Sequence, residues 1–356
     1  MKKLILSDIG EKQLVEELLE EITPSPYLIN GLGNDSAFID IALAEDEVLL
    51  MNTDRSGINI AYKMGISDAR CVGDFAVSHA VSDIFVAGGK PIAISLALLL
   101  PSDLSVEFVK AVMSGADFAA RKYGAFIAAG DTKNNPKFGI VVTVAGKGAK
   151  NRILTRSNAC PGDALVSIGW YGTMLAGLLA FKHGLALNQE TSFLFRKALT
   201  YQNPPYELSM SVAEAGICHA SIDNSDGLSG SIHSLCKKSG LGAIVYADRV
   251  PIRKEVRNVA ETMGLDPFQL ALGSGDWQHI YAVPQDCVSQ FLSLASKHQM
   301  MAAVIGEFTE NKSVRIRKNS RDYIFPCLEN DRFGIGGTSW FELLSSKIDY
   351  LGDPVW

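Results

Sequence analysis

Six aspartates carry most of the chemical signal in this sequence. Asp35 follows Gly33-Asn34, and Asp54 ends the run Val48-Leu49-Leu50-Met51-Asn52-Thr53. Asp131 follows Ala125-Phe126-Ile127-Ala128-Ala129-Gly130, while Asp223 and Asp226 share the segment Ile222-Asp223-Asn224-Ser225-Asp226-Gly227-Leu228. Asp83 falls on the apolar side of a helical pattern that also holds Val72, Phe75, Ala76, His79, Ala80 and Ile84. A carboxylate just past a buried strand sits at a sheet edge, where open α/β architectures place ligands. Taken singly, an Asp beside Gly also suits an Asx turn or a helix N-cap, and Asp226-Gly227 before Leu228 fits that role. Taken together, gathered carboxylates repel and raise each other's pKa unless a cation intervenes. Mg²⁺ is the expected cation, and it usually bridges to substrate phosphates. Arg55, Lys133, Lys137, Arg152 and Arg156 lie near these motifs, as ordinary surface charges or as phosphate contacts.

The elements that must position these residues alternate between strand and helix periods. Asp8-Ile9-Gly10-Glu11 has capping-box spacing, and Leu14, Val15, Leu18, Leu19 and Ile22 then form one apolar stripe before Pro24 and Pro26. Strands are expected at 37–41, 48–52, 92–100, 125–129 and 138–146, with helices at 67–87 and 104–123. The stretch 148–163, rich in Gly, Asn, Arg, Ser and Pro, reads as a domain junction. Beyond it, strands are expected at 164–168, 220–222, 243–246, 279–283, 302–307 and 313–317. Helices are expected at 173–183, 192–200, 206–215, 228–239 and 286–298. Both halves mix strands with covering helices, so the expectation is two α/β or α+β domains, 1–150 and 151–356.

Composition narrows the function. The 356 residues hold 33 Lys+Arg against 39 Asp+Glu, a net charge of −6, which argues against nucleic acid gripped by bulk electrostatics. The apolar run after Met1-Lys2-Lys3 stops at Ser7-Asp8, short of a secretory segment, and no stretch approaches the ~20 apolar residues of a membrane helix. A cytoplasmic protein with no membrane partner is expected. The 6 cysteines lie far apart with no C-x-x-C pair, and read as reduced, mostly buried thiols rather than a metal or disulfide framework. There is no G-x-x-x-x-G-K-[ST], G-x-S-x-G or H-E-x-x-H, and Gly31-Leu32-Gly33-Asn34-Asp35-Ser36 is a poor dinucleotide fingerprint. His79, on an apolar helix face, reads as a satisfied core residue.

The order of motifs resembles a known family. Gly33-Asn34-Asp35-Ser36-Ala37, Asn52-Thr53-Asp54, Val81-Ser82-Asp83-Ile84 and Gly130-Asp131-Thr132 come first. Leu154-Thr155-Arg156-Ser157-Asn158-Ala159, Pro161-Gly162-Asp163 and Asp223-Asn224-Ser225-Asp226-Gly227-Leu228 follow. The series is similar to that of thiamine-monophosphate kinases, members of the aminoimidazole-ribonucleotide-synthetase-like, or PurM-like, ATP-binding superfamily. The resemblance implies a two-domain fold: an N-terminal α/β domain that dimerises through its sheet into a β-barrel, a C-terminal α+β domain, and MgATP in the cleft between them. It implies that Asp35, Asn52, Thr53, Asp54, Asp83, Asp131, Asp223 and Asp226 are metal-site positions, Asn52 standing where the family often has serine. It implies nucleotide contacts at Gly130, Asp131, Arg156 and Ser225, and catalysis centred on Asp223 and Asp226. The implied reaction is direct in-line transfer of the ATP γ-phosphoryl group to a substrate phosphate, in which catalysis is positioning plus charge stabilisation.

Departures from the family fall on the substrate side. Asn34 replaces the first Asp of its G-D-D-A, and Asn59 replaces a substrate-contacting His, two residues early. Gly273-Ser274-Gly275-Asp276-Trp277-Gln278-His279 stands where the family has G-G-E-D-Y-E-L, so Gly275 replaces a substrate-contacting Glu, with Asp276 and Trp277 beside it. Gly336-Gly337-Thr338-Ser339-Trp340-Phe341 matches the aromatic closing segment loosely. A lost hydrogen-bonding partner changes discrimination by orders of magnitude. The leading expectation is therefore a homodimeric kinase using ATP, Mg²⁺ and a small phosphorylated acceptor. The alternatives are a PurM-like enzyme that phosphorylates or activates a different small acceptor, and a non-catalytic nucleotide-binding dimer.

Overall fold

Two compact units divide the chain: Met1–Phe85 with Gly89–Asn151, and Val86–Gly88 with Arg152–Trp356. The computed structural model describes residues 5, 14, 17–24, 42–328 and 340–355. The capping box at 8–11, the strand expected at 37–41 and Asp35 lie outside the described residues.

In the first unit, β1 (Glu47–Ser56) leads through a short helix α1 (Ile60–Lys63) to the long helix α2 (Arg70–Val86). Then come β2 (Lys90–Leu100), α3 (Val106–Lys122), β3 (Phe126–Asn134) and β4 (Gly139–Ala149). The strands form one open sheet in the order β1-β4-β2-β3, antiparallel except for the β2–β3 pair, which α3 connects as a crossover. Ser105 begins α3 as its N-cap, its hydroxyl accepting the Phe108 N–H at 3.2 Å. The two long helices meet through glycines. A Cβ on Gly73 would stand 1.9 Å from the Val112 carbonyl oxygen, and one on Gly115 1.9 Å from that of Arg70. No side chain fits at either position, which is why backbone meets backbone there.

Strands β1 and β3 run further than the apolar runs predict. Expected to stop at 52 and 129, they continue to Ser56 and Asn134 because their partners β4 and β2 are 11 residues long and supply ladder positions to the end. Asp54 pairs with Val142 and Asp131 with Ala97. Both carboxylates therefore lie inside strands rather than just past them.

In the second unit β5 (Ala164–Ile168) is followed by α4 (Thr173–Lys182), α5 (Gln189–Thr200), α6 (Tyr206–Ala215), β6 (Ala220–Asp223) and α7 (Gly227–Ser239). Next are β7 (Gly242–Tyr246), α8 (Lys254–Thr262), α9 (Pro267–Ala271), β8 (His279–Val283), α10 (Val288–Lys297), β9 (Ala302–Thr309), β10 (Val314–Lys318), β11 (Arg321–Ile324) and α11 (Trp340–Ser345). The seven strands order as β11-β10-β7-β9-β5-β8-β6. Strands β5 and β8 are buried along their whole length, as expected of strands covered on both faces. On one face Ala164, Val166, Ile168, Tyr281 and Val283 pack against Leu208 and Val212 of α6 and Phe291 and Ala295 of α10. These mixed sheets give the expected two-domain α/β and α+β class. The cysteines differ from expectation: all six are free, but only Cys71 and Cys236 are buried, and Cys160 and Cys327 are exposed.

One buried acid makes the first unit sensitive to pH. Asp74 on α2 is 2% exposed; its Oδ1 accepts from Ser78 Oγ at 3.4 Å, and its Oδ2 has no hydrogen-bond partner among the described residues. Burial raises its pKa to about 6, against the pull of Lys122 and the Ser78 hydroxyl. A carboxyl whose folded pKa is raised holds its proton more tightly folded than unfolded. Its contribution is fully present below the unfolded value near ~4 and is lost as pH rises through about 6. Urea-unfolding midpoints of wild type and Asp74→Asn, compared between acidic and mildly alkaline pH, should diverge. Wild type is expected to lose up to ~3 kcal/mol more than the variant as pH rises.

Candidate active site

The richest group of the expected site residues lies where β6 ends. Thr155 forms a parallel bridge with Ala220, and its carbonyl accepts the Ser221 N–H at 3.0 Å. That pairing draws the next residue, Arg156, alongside β6, with Nη2 3.9 Å from Oδ1 of Asp223. Asp223 is 2% exposed, and the same oxygen accepts from Ser225 Oγ at 3.1 Å. Its backbone carbonyl accepts from Ser231 Oγ at 3.1 Å, tying the loop to α7. Asp226 occupies the N-cap position of α7 without making a side-chain cap hydrogen bond. Capping therefore does not account for its carboxylate. The Arg156 guanidinium, from the segment before β5, thus meets a hydroxyl and two carboxylates of the loop that follows β6, an arrangement with donors and charge for a phosphate and oxygen ligands for a hard cation.

The Gly273–Gln278 segment is pinned to this loop. Asn224 donates through Nδ2 to Gln278 Oε1 at 2.9 Å, and its N–H donates to the Gln278 carbonyl at 3.0 Å. Gln278 Nε2 in turn donates to the Trp170 carbonyl at 2.8 Å. Asn224 and Gln278, at 3% and 0% exposure, were not singled out from sequence, although a Gln inside an otherwise apolar strand start is the signal that marks them.

Within this segment the expected substrate residues turn inward. Gly275 adopts φ +109°, and a Cβ there would meet Met174 Cε at 2.4 Å and Sδ at 2.5 Å. The side chain of Met174 fills the volume that a residue other than glycine would need. Asp276 Oδ1 accepts the Met174 N–H at 2.7 Å at the start of α4. Burial pushes its pKa up to about 7 against the N–H groups of Met174, Thr173 and Gly172. Trp277, at φ +56° and 8% exposure, donates its indole N–H to Gln202 Oε1. His279 is fully buried, its Nδ1 2.9 Å from Ser209 Oγ, and burial lowers its pKa to about 3, so it stays neutral. Trp340 opens α11.

The first unit holds the remaining expected positions, and strand alternation separates them. Asn52 and Asp54 point to the helix-covered side: Asn52 Nδ2 donates to Asp54 Oδ2 at 3.0 Å and to the Ala80 carbonyl at 3.1 Å. Asp83 is half-buried one turn further along α2. Thr53 points the other way, to the open face, where its hydroxyl is 3.0 Å from that of Thr143. Asp54 shares a row with Val142, Leu96 and Gly130; Asp131 shares the next with Ala97, Val141 and Arg55. Asp54 and Asp131 therefore occupy opposite edges of the sheet, about 14 Å apart at ~4.8 Å per strand, and opposite faces. Gly130 has no room for a Cβ, which would stand 2.6 Å from the Leu96 carbonyl oxygen. Asn59 is 7% exposed: its Oδ1 caps α1 at the Tyr62 N–H and its Nδ2 donates to the Cys71 carbonyl. His79 is half-buried against the Phe75 ring.

Residues 33–149 match the AIR synthase related protein N-terminal domain, and residues 160–319 match the C-terminal domain of the same family. The chain belongs to the AIR synthase related family. Two branches of curated relatives resemble this member. A thiamine-monophosphate kinase of Pyrococcus horikoshii is 25% identical over 327 residues, 91% of this chain and 96% of the kinase. The carbamoyl dehydratase HypE of Escherichia coli K12 is 27% identical over 318 residues, 86% of this chain and 89% of the dehydratase. The solved thiamine-monophosphate kinase of Stenotrophomonas maltophilia K279a superposes with a TM-score of 0.73 at 23% identity, over 86% of this chain and 94% of the kinase. A hydrogenase maturation protein HypE solved in complex with ATP superposes with 0.70 at 23%, over 89% and 95%. The AIR synthase related fold is thus common to both branches.

The pin between the two loops has a measurable value. Gln278→Ala leaves the buried Asn224 amide with only its longer 3.5 Å bond to the Gly273 carbonyl and removes the donor to the Trp170 carbonyl, lost hydrogen bonds worth about 0.5–1.5 kcal/mol each. Denaturant unfolding should place the variant about 1–3 kcal/mol below wild type.

Proposed function

We propose that this family member is an ATP-dependent phosphotransferase of the thiamine-monophosphate kinase type, moving the γ-phosphoryl group of ATP to a small phosphorylated acceptor. The observation that carries this reading is the grouping of Arg156, Ser225 and Asp226 around buried Asp223 at the end of β6. Arg156 and Ser225 supply phosphate-binding donors, and Asp223 and Asp226 supply oxygen ligands for a cation. In-line transfer asks for little more than positioning and charge compensation.

Magnesium fits the donor chemistry, because Asp223, Asp226, Asn52 and Asp54 offer oxygen ligands only. In this reading Asp223 and Asp226 are the candidate ligands in the second unit, and Asn52 and Asp54, with Asp83 on the same side of the sheet, are those in the first; Thr53 and Asp131, on the other face, stand apart from that group. Bound there, it would neutralise the phosphate oxygens that gain charge during transfer. The open face of the four-stranded sheet supports a homodimer: Met51 and Leu49 are 67% and 44% exposed on it, beside Val141, Ala145 and Leu99. A second copy of the chain is the occupant proposed for that face. No described helix is long and apolar enough to cross a membrane.

A second reading has its own observation. At Gly275, where the kinase resemblance expects a substrate-contacting Glu, the backbone angle of φ +109° strains any other residue, and the tip of Met174 would have to move to admit a Cβ. ATP-driven activation of a different small acceptor would leave that position free to change, and the relative HypE, named a carbamoyl dehydratase, is an enzyme of a different reaction class from the kinases.

Purified protein given MgATP and thiamine monophosphate should release ADP and thiamine diphosphate in equal amounts. Asp223→Asn should lower the rate by at least ~10²-fold while leaving the circular dichroism spectrum unchanged. Thermal stabilisation by MgATP without thiamine diphosphate, and turnover with a carbonyl or amide acceptor instead, would decide for the second reading. Gly275→Glu should lower the melting temperature and fail to increase thiamine phosphate turnover, since overpacking of this kind costs about 1–3 kcal/mol.

A further inference from the structure

The opposite end of β6 gathers a different set of donors. Strands β5 and β6 both run antiparallel to β8, which lies between them, so their first residues, Ala164 and Ala220, share one end of the sheet. Just before β5, Cys160-Pro161-Gly162-Asp163 makes a tight turn. The Asp163 N–H donates to the Cys160 carbonyl at 3.1 Å, and Gly162 takes φ +86° at the position where a type II turn requires it. The turn is fastened to β9 on both sides: Gly162 N–H donates to the Phe308 carbonyl and Phe308 N–H to the Asp163 carbonyl, each at 2.9 Å. Its carboxylate is correspondingly fixed. Asp163 is 4% exposed, and Oδ2 is 2.8 Å from the Cys160 N–H and 2.9 Å from His219 Nδ1. His219 is anchored by its own N–H, which donates to the Ala282 carbonyl at 2.9 Å.

The sulfur of Cys160, a carboxylate oxygen of Asp163 and a ring nitrogen of His219 consequently lie within 4.8 Å of one another. It is the one such trio of Cys, His or acidic residues found among the described residues. We propose that these three side chains bind a borderline transition-metal ion, with Zn²⁺ as the best match. Zinc accepts thiolate, imidazole and carboxylate at about 2.0–2.3 Å, which sets neighbouring donors about 3.3–3.6 Å apart in a tetrahedron. Reaching that spacing requires a closure of roughly 1 Å. The exposed side chains of Cys160 and His219 can swing to provide it, while Asp163 is held by the turn. A hydrogen bond between His219 and Asp163 would by itself tie the two loops together. The thiol adds nothing to that tie, and its presence beside the pair is what completes a metal-binding donor set.

The chemistry of the donors also sets selectivity. Thiolate and imidazole favour zinc-like ions over Mg²⁺ or Ca²⁺, which take oxygen ligands. With three protein ligands and two of them exposed, a fourth position stays open to water or to an added ligand. Cys218, next in the chain to His219, packs against the apolar cluster below, and burial pushes its thiol pKa up, so it stays protonated and outside the set. Asp223 is four residues beyond His219 along an extended strand, roughly 13 Å at ~3.3 Å per residue. Metal at the turn is therefore separate from the phosphate-binding loop.

The test uses the full chain, stripped with chelator and titrated with ZnCl₂ against a chromogenic competitor, with Mg²⁺ in large excess to occupy oxygen-only sites. One equivalent of Zn²⁺ should bind, and CoCl₂ in its place should produce a thiolate-to-cobalt charge-transfer band. Cys160→Ser should abolish the band, and both Cys160→Ser and His219→Gln should weaken Zn²⁺ binding by at least ~10-fold. Cys327→Ser, which removes the other exposed thiol, should change neither. Absence of the cobalt band in the wild-type chain, or unchanged Zn²⁺ affinity in Cys160→Ser, would overturn the assignment. Both variants alter exposed side chains, so circular dichroism should show them folded.

Discussion

The antiparallel pairing of β6 with β8 is the constraint on which the second unit depends. Register places Asp223 opposite His279 and Ala220 opposite Ala282. Because β6 has only four residues, both of its ends fall next to fixed backbone. One end delivers Asp223, Asn224 and Ser225 to the Gly273–Gln278 segment; the other delivers His219 to the turn before β5. A shift of one residue would send every side chain of β6 to the wrong face. Buried His279 and Tyr281 fix that register from the β8 side, through their contacts with Ser209. Their polarity belongs to the packing that holds the loops, rather than to the chemistry on them.

The first unit obeys a different rule. Its expected site residues ride on long strands, and the two-residue alternation of a strand divides neighbours in sequence between two faces. Asn52 and Asp54 meet α2 while Thr53 meets the open side. Asp54 and Asp131, similar in sequence context, end on opposite edges because β4 and β2 lie between β1 and β3. Motifs that read alike along the chain can thus be placed apart by strand order, which no local pattern encodes.

This difference marks how far the sequence could be read. Helix α3, the buried strands β5 and β8, and the loop carrying Asp223 and Asp226 follow from apolar spacing and turn chemistry. The true lengths of β1 and β3 do not, since they are set by the partners they pair with. Asn59 and Trp277 looked like substrate contacts because their positions matched such residues elsewhere. Only three-dimensional packing shows one capping α1 and the other hydrogen-bonded to Gln202. Cys160, Asp163 and His219 were equally unreadable as a group, because 56 residues separate Asp163 from its imidazole partner.

The close contact at Gly275 bears on what a side chain at that position would cost. Glycine there holds a backbone angle that a Cβ-bearing residue rarely adopts, and the tip of the Met174 side chain lies where a Cβ would stand. The two obstacles differ in kind: a thioether tip can rotate away, whereas the main-chain angle is set by the turn. A smaller residue at 174 would therefore relieve only the contact, and the cost of any side chain at 275 stays with the backbone.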